Sequence, residues 1–81
     1  MAVHRDELSE KHLRRLGKNV KILRIEHDLA QDALARESRT TRAQLSGIER
    51  GQINASSLTL IKIAHALKVP VGELFRGIDW E

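Results

Sequence analysis

The stretch TRAQLSGIERG, residues 41–51, decides the fold. Thr41 is a residue type whose hydroxyl accepts from an otherwise orphaned backbone N–H, so it opens a helix. Leu45 and Ile48, three residues apart, give that helix one buried side, and Gly51 supplies the conformational freedom that ends it. Arg42, Ala43, Gln44, Ser46 and Gly47 are then left facing outward.

Immediately upstream, residues 30–38 (AQDALARES) form a second short helix, since alanine, leucine, glutamine and charged residues fill it without proline or glycine. Arg39 and Thr40 make the turn between the two. Ala35 is small where the helices must approach closely, and Leu34 meets Leu45 and Ile48 beneath them. Two short helices joined by so brief a turn let the second project into the major groove of DNA, where base edges carry a distinguishable donor and acceptor code.

Working outward, Leu13, Leu16, Val20 and Leu23 recur at helical spacing and predict a first helix that starts between Asp6 and Glu10 and ends near Asp28. Ser56 or Ser57 caps a fourth helix with Leu60, Ile63, Ala64 and Leu67 on one face. A fifth begins at Pro70 and carries Val71, Leu74 and Phe75 inward. No segment alternates like a strand, so the fold class is all-α, a compact five-helix domain. Residues 1–15 are expected to be a partly helical extension, 16–77 the domain and 78–81 a tail.

The 81 residues are enough for one small core and too few for two. A charge of +3, with seven Lys or Arg before residue 25, suits a surface that meets phosphate. The absence of cysteine excludes a disulfide framework and a thiolate nucleophile. No apolar run has membrane-spanning length and no signal-like core opens the chain, which makes a cytoplasmic location the expectation. His4, His12, His27 and His65 are scattered without metal-ligand spacing, and Asp28 and Asp32 are helix-end carboxylates with no nucleophile or phosphate loop near them in sequence. Neither catalysis nor a metal or cofactor is expected. With Phe75 and Trp80 the only aromatics, base stacking on single strands has little to work with.

The segment LAQDALARESRTTRAQLSGIERG, followed by LTLIKIAHALKVPVGELF, resembles the phage-repressor and Cro type of helix-turn-helix domain, the xenobiotic-response-element family of bacterial regulators. The resemblance covers about residues 16–75, and its strongest elements are Gln31, Ala35, the SGIERG stretch and the IAHALKV run. Ser46-Gly47 before Ile48-Glu49-Arg50-Gly51 also resembles controller proteins of restriction-modification systems.

This resemblance implies a lambda-repressor-like fold and a transcriptional regulator that binds double-stranded DNA; a single small module reads only a few base pairs, so a homodimer on a two-fold symmetric operator is expected, with no small-molecule effector. It places Gln31 on a phosphate and Thr41, Arg42, Ala43, Gln44, Ser46 and Gly47 at the groove, with Arg42 and Gln44 as leading base readers. Arg50, Gln52 and Asn54 would touch phosphate or the groove edge. Glu49 would form a structural ion pair with Arg24. Val71, Phe75, Ile78 and Trp80 are the dimer-interface candidates, with Val71 and Phe75 more strongly expected inside the monomer.

Three departures from the family pattern stand out. Arg39 occupies the usual glycine position of the turn, Ala30 replaces a serine or threonine cap, and Gly47 stands where many relatives carry a long base-reading side chain. The competing class is a protein-interaction module of the same fold, antitoxin-like or coactivator-like, whose main partner is another protein.

Overall fold

Four α-helices and a terminal 3-10 helix make up the computed structural model, which describes residues 6–79. They are α1 (Glu7–Glu26), α2 (Gln31–Glu37), α3 (Arg42–Glu49), α4 (Ser57–Leu67) and the 3-10 helix Val71–Phe75. His4, Arg5 and Trp80 lie outside the described residues. Residues 7–15 belong to the same unbroken helix as residues 16–26.

Three of the helices open on a side-chain cap. Asp6 accepts from the Ser9 amide at 2.7 Å, Thr41 from Gln44 at 3.0 Å and Ser56 from Thr59 at 3.1 Å, each satisfying one of the donors a helix start leaves over. At α2 the capping position is Ala30, which makes no side-chain bond.

All four α-helices end alike. Asp28, Arg39, Gly51 and Lys68 take left-handed φ values of 55°, 58°, 72° and 58°. The following amide then reaches back five residues: Leu29 to the Arg24 carbonyl at 3.1 Å, Thr40 to Ala35 at 2.9 Å, Gln52 to Gly47 at 2.9 Å and Val69 to Ala64 at 3.1 Å. This closure satisfies carbonyls that would otherwise be orphaned. Only α3 uses glycine for it. A Cβ at Gly51 would stand 2.8 Å from the Arg14 Cα, so the approach of α1, as well as the dihedral, excludes a side chain there.

The core gathers Leu16, Val20, Leu34, Ala35, Leu45, Ile48, Leu60, Ile63, Ala64, Leu67 and Leu74, one stripe from each element. Each large side chain fully withdrawn from water contributes about 1.5–3 kcal/mol before entropy is counted. Helix α1 packs on α3 and the 3-10 helix, α2 on α3 and α4, and α4 on the 3-10 helix. Two buried polar residues that the hydrophobic pattern could not flag help tie these elements together. Asn19 donates to the carbonyls of Leu74 (2.9 Å) and Arg76 (2.8 Å), fastening the C-terminal segment to α1. The Ser38 hydroxyl donates to the Leu34 carbonyl at 2.6 Å and meets the Thr40 hydroxyl at 3.0 Å, bracing the α2–α3 turn.

The fifth element differs from expectation. It is a single five-residue 3-10 segment, and of Val71, Leu74 and Phe75 only Leu74 is buried; Val71 and Phe75 are 41% and 43% exposed. With three residues per turn, Phe75 is rotated roughly a third of a turn from Leu74 and so leaves the core side. Ile78, expected to be a better interface candidate than these two, is instead partly buried against the core. Among the described residues, no helix is long and apolar enough to cross a membrane, and no group of three potential ligands could hold a metal ion.

Candidate nucleic-acid interface

Helix α3 is anchored through its last residue. Glu49 is buried, and its carboxylate takes the Arg24 Nε at 2.7 Å on Oε2 and the Arg24 Nη2 at 3.1 Å on Oε1. Arg24 also donates from Nη1 to the Leu29 carbonyl at 2.8 Å. Gln31, the first residue of α2, completes the cluster by donating its Nε2 to the Glu49 Oε1 at 3.0 Å. One carboxylate thus ties α1, α2 and α3 at a single point, and the charge-assisted, forked geometry gives it direction as well as strength. Gln31 is half-buried, and its amide orientation is set by Glu49.

With α3 held there, its outer side presents Arg42 and Ala43 exposed, and Gln44 and Ser46 half-exposed; its cap, Thr41, is exposed. Arg50, Gln52 and Asn54 continue the exposed polar row past the helix end, and the Arg50 Nε leans back to the Ser46 carbonyl at 3.3 Å. At the other end the Arg42 Nε stands 3.4 Å from the Asp32 Oδ1 of α2, with both side chains about two-thirds exposed. In the sequence Asp32 reads only as a helix-end carboxylate. The signal for the pairing, opposite charges ten residues apart across a short turn, becomes meaningful once the two helix starts are seen side by side.

Gly47 does not face outward. It is buried, and a Cβ built on it would collide with the Cδ1 and Cγ1 of Ile53. The position is covered by a branched residue from the loop after α3. Ile53 went unnoticed in the sequence because an isolated isoleucine in a polar loop has no periodicity to assign it.

The surface also carries apolar residues. Leu58 and Ile61 on α4 are 59% and 52% exposed, in addition to Val71 and Phe75 on the 3-10 helix packed beside it. Sequence reading missed Leu58 and Ile61 because the stripe Leu60, Ile63, Ala64 and Leu67 already accounts for one full helix face, and a second apolar face has no partner within one chain.

The chain resembles known proteins over most of its length. A helix-turn-helix family model matches residues 20–74. The control protein C.MunI from Mycoplasma sp is 38% identical over 68 residues, covering 83% of this chain and 92% of that protein. Among solved structures, the restriction-modification controller protein C.AhdI from Aeromonas hydrophila superposes with a TM-score of 0.77 at 38% identity, over 78% of this chain and 96% of that one. The clp gene regulator ClgR from C. glutamicum gives 0.73 at 31% identity, over 76% and 80% of the two chains.

Proposed function

The chain belongs to the helix-turn-helix family of DNA-binding transcription regulators, and from that membership we propose that it is a sequence-specific regulator acting as a homodimer on a two-fold symmetric operator. Helices α2 and α3 are its helix-turn-helix, with α3 in the major groove. Its likeness to C.MunI and C.AhdI points to restriction-modification genes as the target. The protein works in the cytoplasm and takes no small-molecule effector.

The observation that carries this proposal is the combination of a clamped helix with an outward polar row. Glu49, Arg24 and Gln31 fix α3 to the scaffold, while Arg42, Ala43, Gln44 and Ser46 are left on its accessible side. Rigid placement of a short polar helix is what groove reading requires, because base-edge hydrogen bonds tolerate little positional error. Arg42 forks onto guanine O6 and N7, and Gln44 pairs with adenine. Thr41, Gln31, Arg50, Gln52 and Asn54 meet phosphate or the groove edge, which sets register rather than sequence. Gly47 contributes by letting Ile53 seat, and not by touching a base.

Two such modules extend the site to half-sites about one helical turn apart. The exposed Val71 and Phe75, with Leu58 and Ile61 beside them, form the self-complementary contact of a two-fold dimer.

Selection of bound sequences from a random duplex pool tests the proposal. A two-fold symmetric consensus is expected, with binding that weakens steeply as salt is added. Arg42→Ala should lose discrimination between sites, whereas Gln31→Ala should weaken all duplexes evenly. No enrichment, or salt-insensitive binding, would overturn it and leave the protein-interaction module as the reading of this fold.

A further inference from the structure

Asp32 is the second residue of α2 and Arg42 the first of α3, so their contact bridges two helix starts across the turn. An ion pair this exposed adds little to stability. Its consequence lies in what it does to the most forward cation of the candidate recognition helix. The carboxylate stands 3.4 Å from the Nε, in charge contact without a hydrogen bond, and the two terminal nitrogens remain as donors for a ligand. It also sets a negative charge beside Arg42, and a carboxylate near the DNA backbone is repelled by it. Both effects act against the indiscriminate use of Arg42, a contact with any phosphate, and leave the forked contact with guanine O6 and N7 possible.

We propose that Asp32 is a specificity-determining positioning residue, which stands beside the Nε of Arg42 and offsets its charge so that it reads a base edge in preference to the backbone. This rests on the assignment of Arg42 as a base reader in the preceding section. Asp32 lowers affinity for non-operator DNA more than for the operator, and so widens the ratio between them. Asp32 also sits in the first turn of α2, where a negative charge favours the helix, so the pairing is compatible with local stability.

The test measures affinity for the selected consensus duplex and for a shuffled duplex of the same composition, over a range of salt. The proteins are the unmodified chain, Asp32→Asn, Arg42→Ala, the double variant, and Glu37→Gln. Glu37 is an exposed carboxylate at the far end of α2, so its variant removes the same charge without touching Arg42. Asp32→Asn is expected to tighten binding to the shuffled duplex about two- to fivefold, the weight of an exposed ion pair. Its salt dependence should steepen by about one phosphate contact. The consensus duplex gains less, so the ratio falls, while Glu37→Gln leaves it unchanged. With Arg42 already replaced by alanine, Asp32→Asn should not move the ratio further.

A ratio that Arg42→Ala lowers but Asp32→Asn leaves intact overturns this proposal alone. So does an equal fall for Glu37→Gln, or an undiminished effect of Asp32→Asn without Arg42, since either result makes Asp32 a generic charge. A ratio unmoved by Arg42→Ala overturns the base-reader assignment itself.

Discussion

Arg24 grips Glu49 through both carboxylate oxygens, at 2.7 and 3.1 Å, across the interface between the last turn of α1 and the last residue of α3. The Glu49 side chain is 3% exposed and the Arg24 side chain 12%. A pair so withdrawn from water is worth little compared with a well-packed apolar substitute, but either member left alone is expensive. Replacing Glu49 with alanine strands Arg24 on the single Leu29 carbonyl and frees the Gln31 amide. Urea unfolding is expected to show a loss of about 3–5 kcal/mol for Glu49→Ala. Glu49→Gln, which keeps a hydrogen-bonding group there, should lose less.

Arg39 makes the left-handed turn that closes α2, at φ 58°. That conformation costs a side-chain-bearing residue roughly 1–2 kcal/mol, whereas glycine adopts it freely but loses about 0.5–1 kcal/mol more entropy on folding. Arg39→Gly should therefore stabilise the chain by about 0.5–1 kcal/mol, which raises the thermal midpoint by about 2–8 °C in a domain of this size. A lower midpoint would show that the exposed arginine contributes something the backbone geometry does not reveal.

Gly47 and Ile53 occupy one space. Gly47→Ala places a methyl against the end of the Ile53 side chain and is expected to destabilise by about 1–3 kcal/mol, as overpacking does. Ile53→Val removes the colliding Cδ1. The two substitutions together should be less harmful than their sum by at least about 0.5 kcal/mol. Strict additivity in a double-mutant cycle would mean that the two side chains do not compete.

Asp6 caps α1, and its carboxyl is held below its ordinary value of 3.8 mainly by the bond from the Ser9 amide. A group whose pKa is lower in the folded than in the unfolded chain contributes stability above the unfolded value and loses it as pH falls through the folded one. The first turn of α1 should accordingly fray as pH drops below 3.8, seen as lost protection of the Ser9 amide relative to its intrinsic exchange rate. Asp6→Asn, which keeps the cap but cannot titrate, should abolish that dependence.

Phe75 and Leu58 are both apolar and exposed, on elements that pack together. If they form the dimer contact, Phe75→Lys and Leu58→Lys place like charges against each other across the two-fold axis. On that proposal, sedimentation is expected to show dimers for the unmodified chain and monomers for each variant at the same concentration. Circular dichroism should be unchanged, since neither side chain lies in the core. A variant that stays dimeric would move the interface elsewhere.

Much of the fold was legible from the chain alone because its signals are local. Thr41 and Ser56 cap the helices they were expected to cap, Asp28 and Gly51 end the helices they were expected to end, and Leu34, Ala35, Leu45 and Ile48 meet beneath the turn. Each depends on residues within about one helical turn, or on a period that repeats along one face. The pairing of Arg24 with Glu49 follows from the family resemblance and has no local spacing signal.

The sequence by itself determined that four segments form α-helices, which residues cap α3 and α4, where α1 and α3 end, and which face of each of the four packs inward, since these follow from caps, helix ends and spacing. Only the tertiary structure decided that Ile53 covers Gly47, that Asp32 stands beside Arg42, that Gln31 joins the Arg24–Glu49 pair, and that Phe75 faces solvent. Those contacts join residues from different elements, or depend on which side of the last helix packs inward. Packing sets both, and no local pattern encodes them.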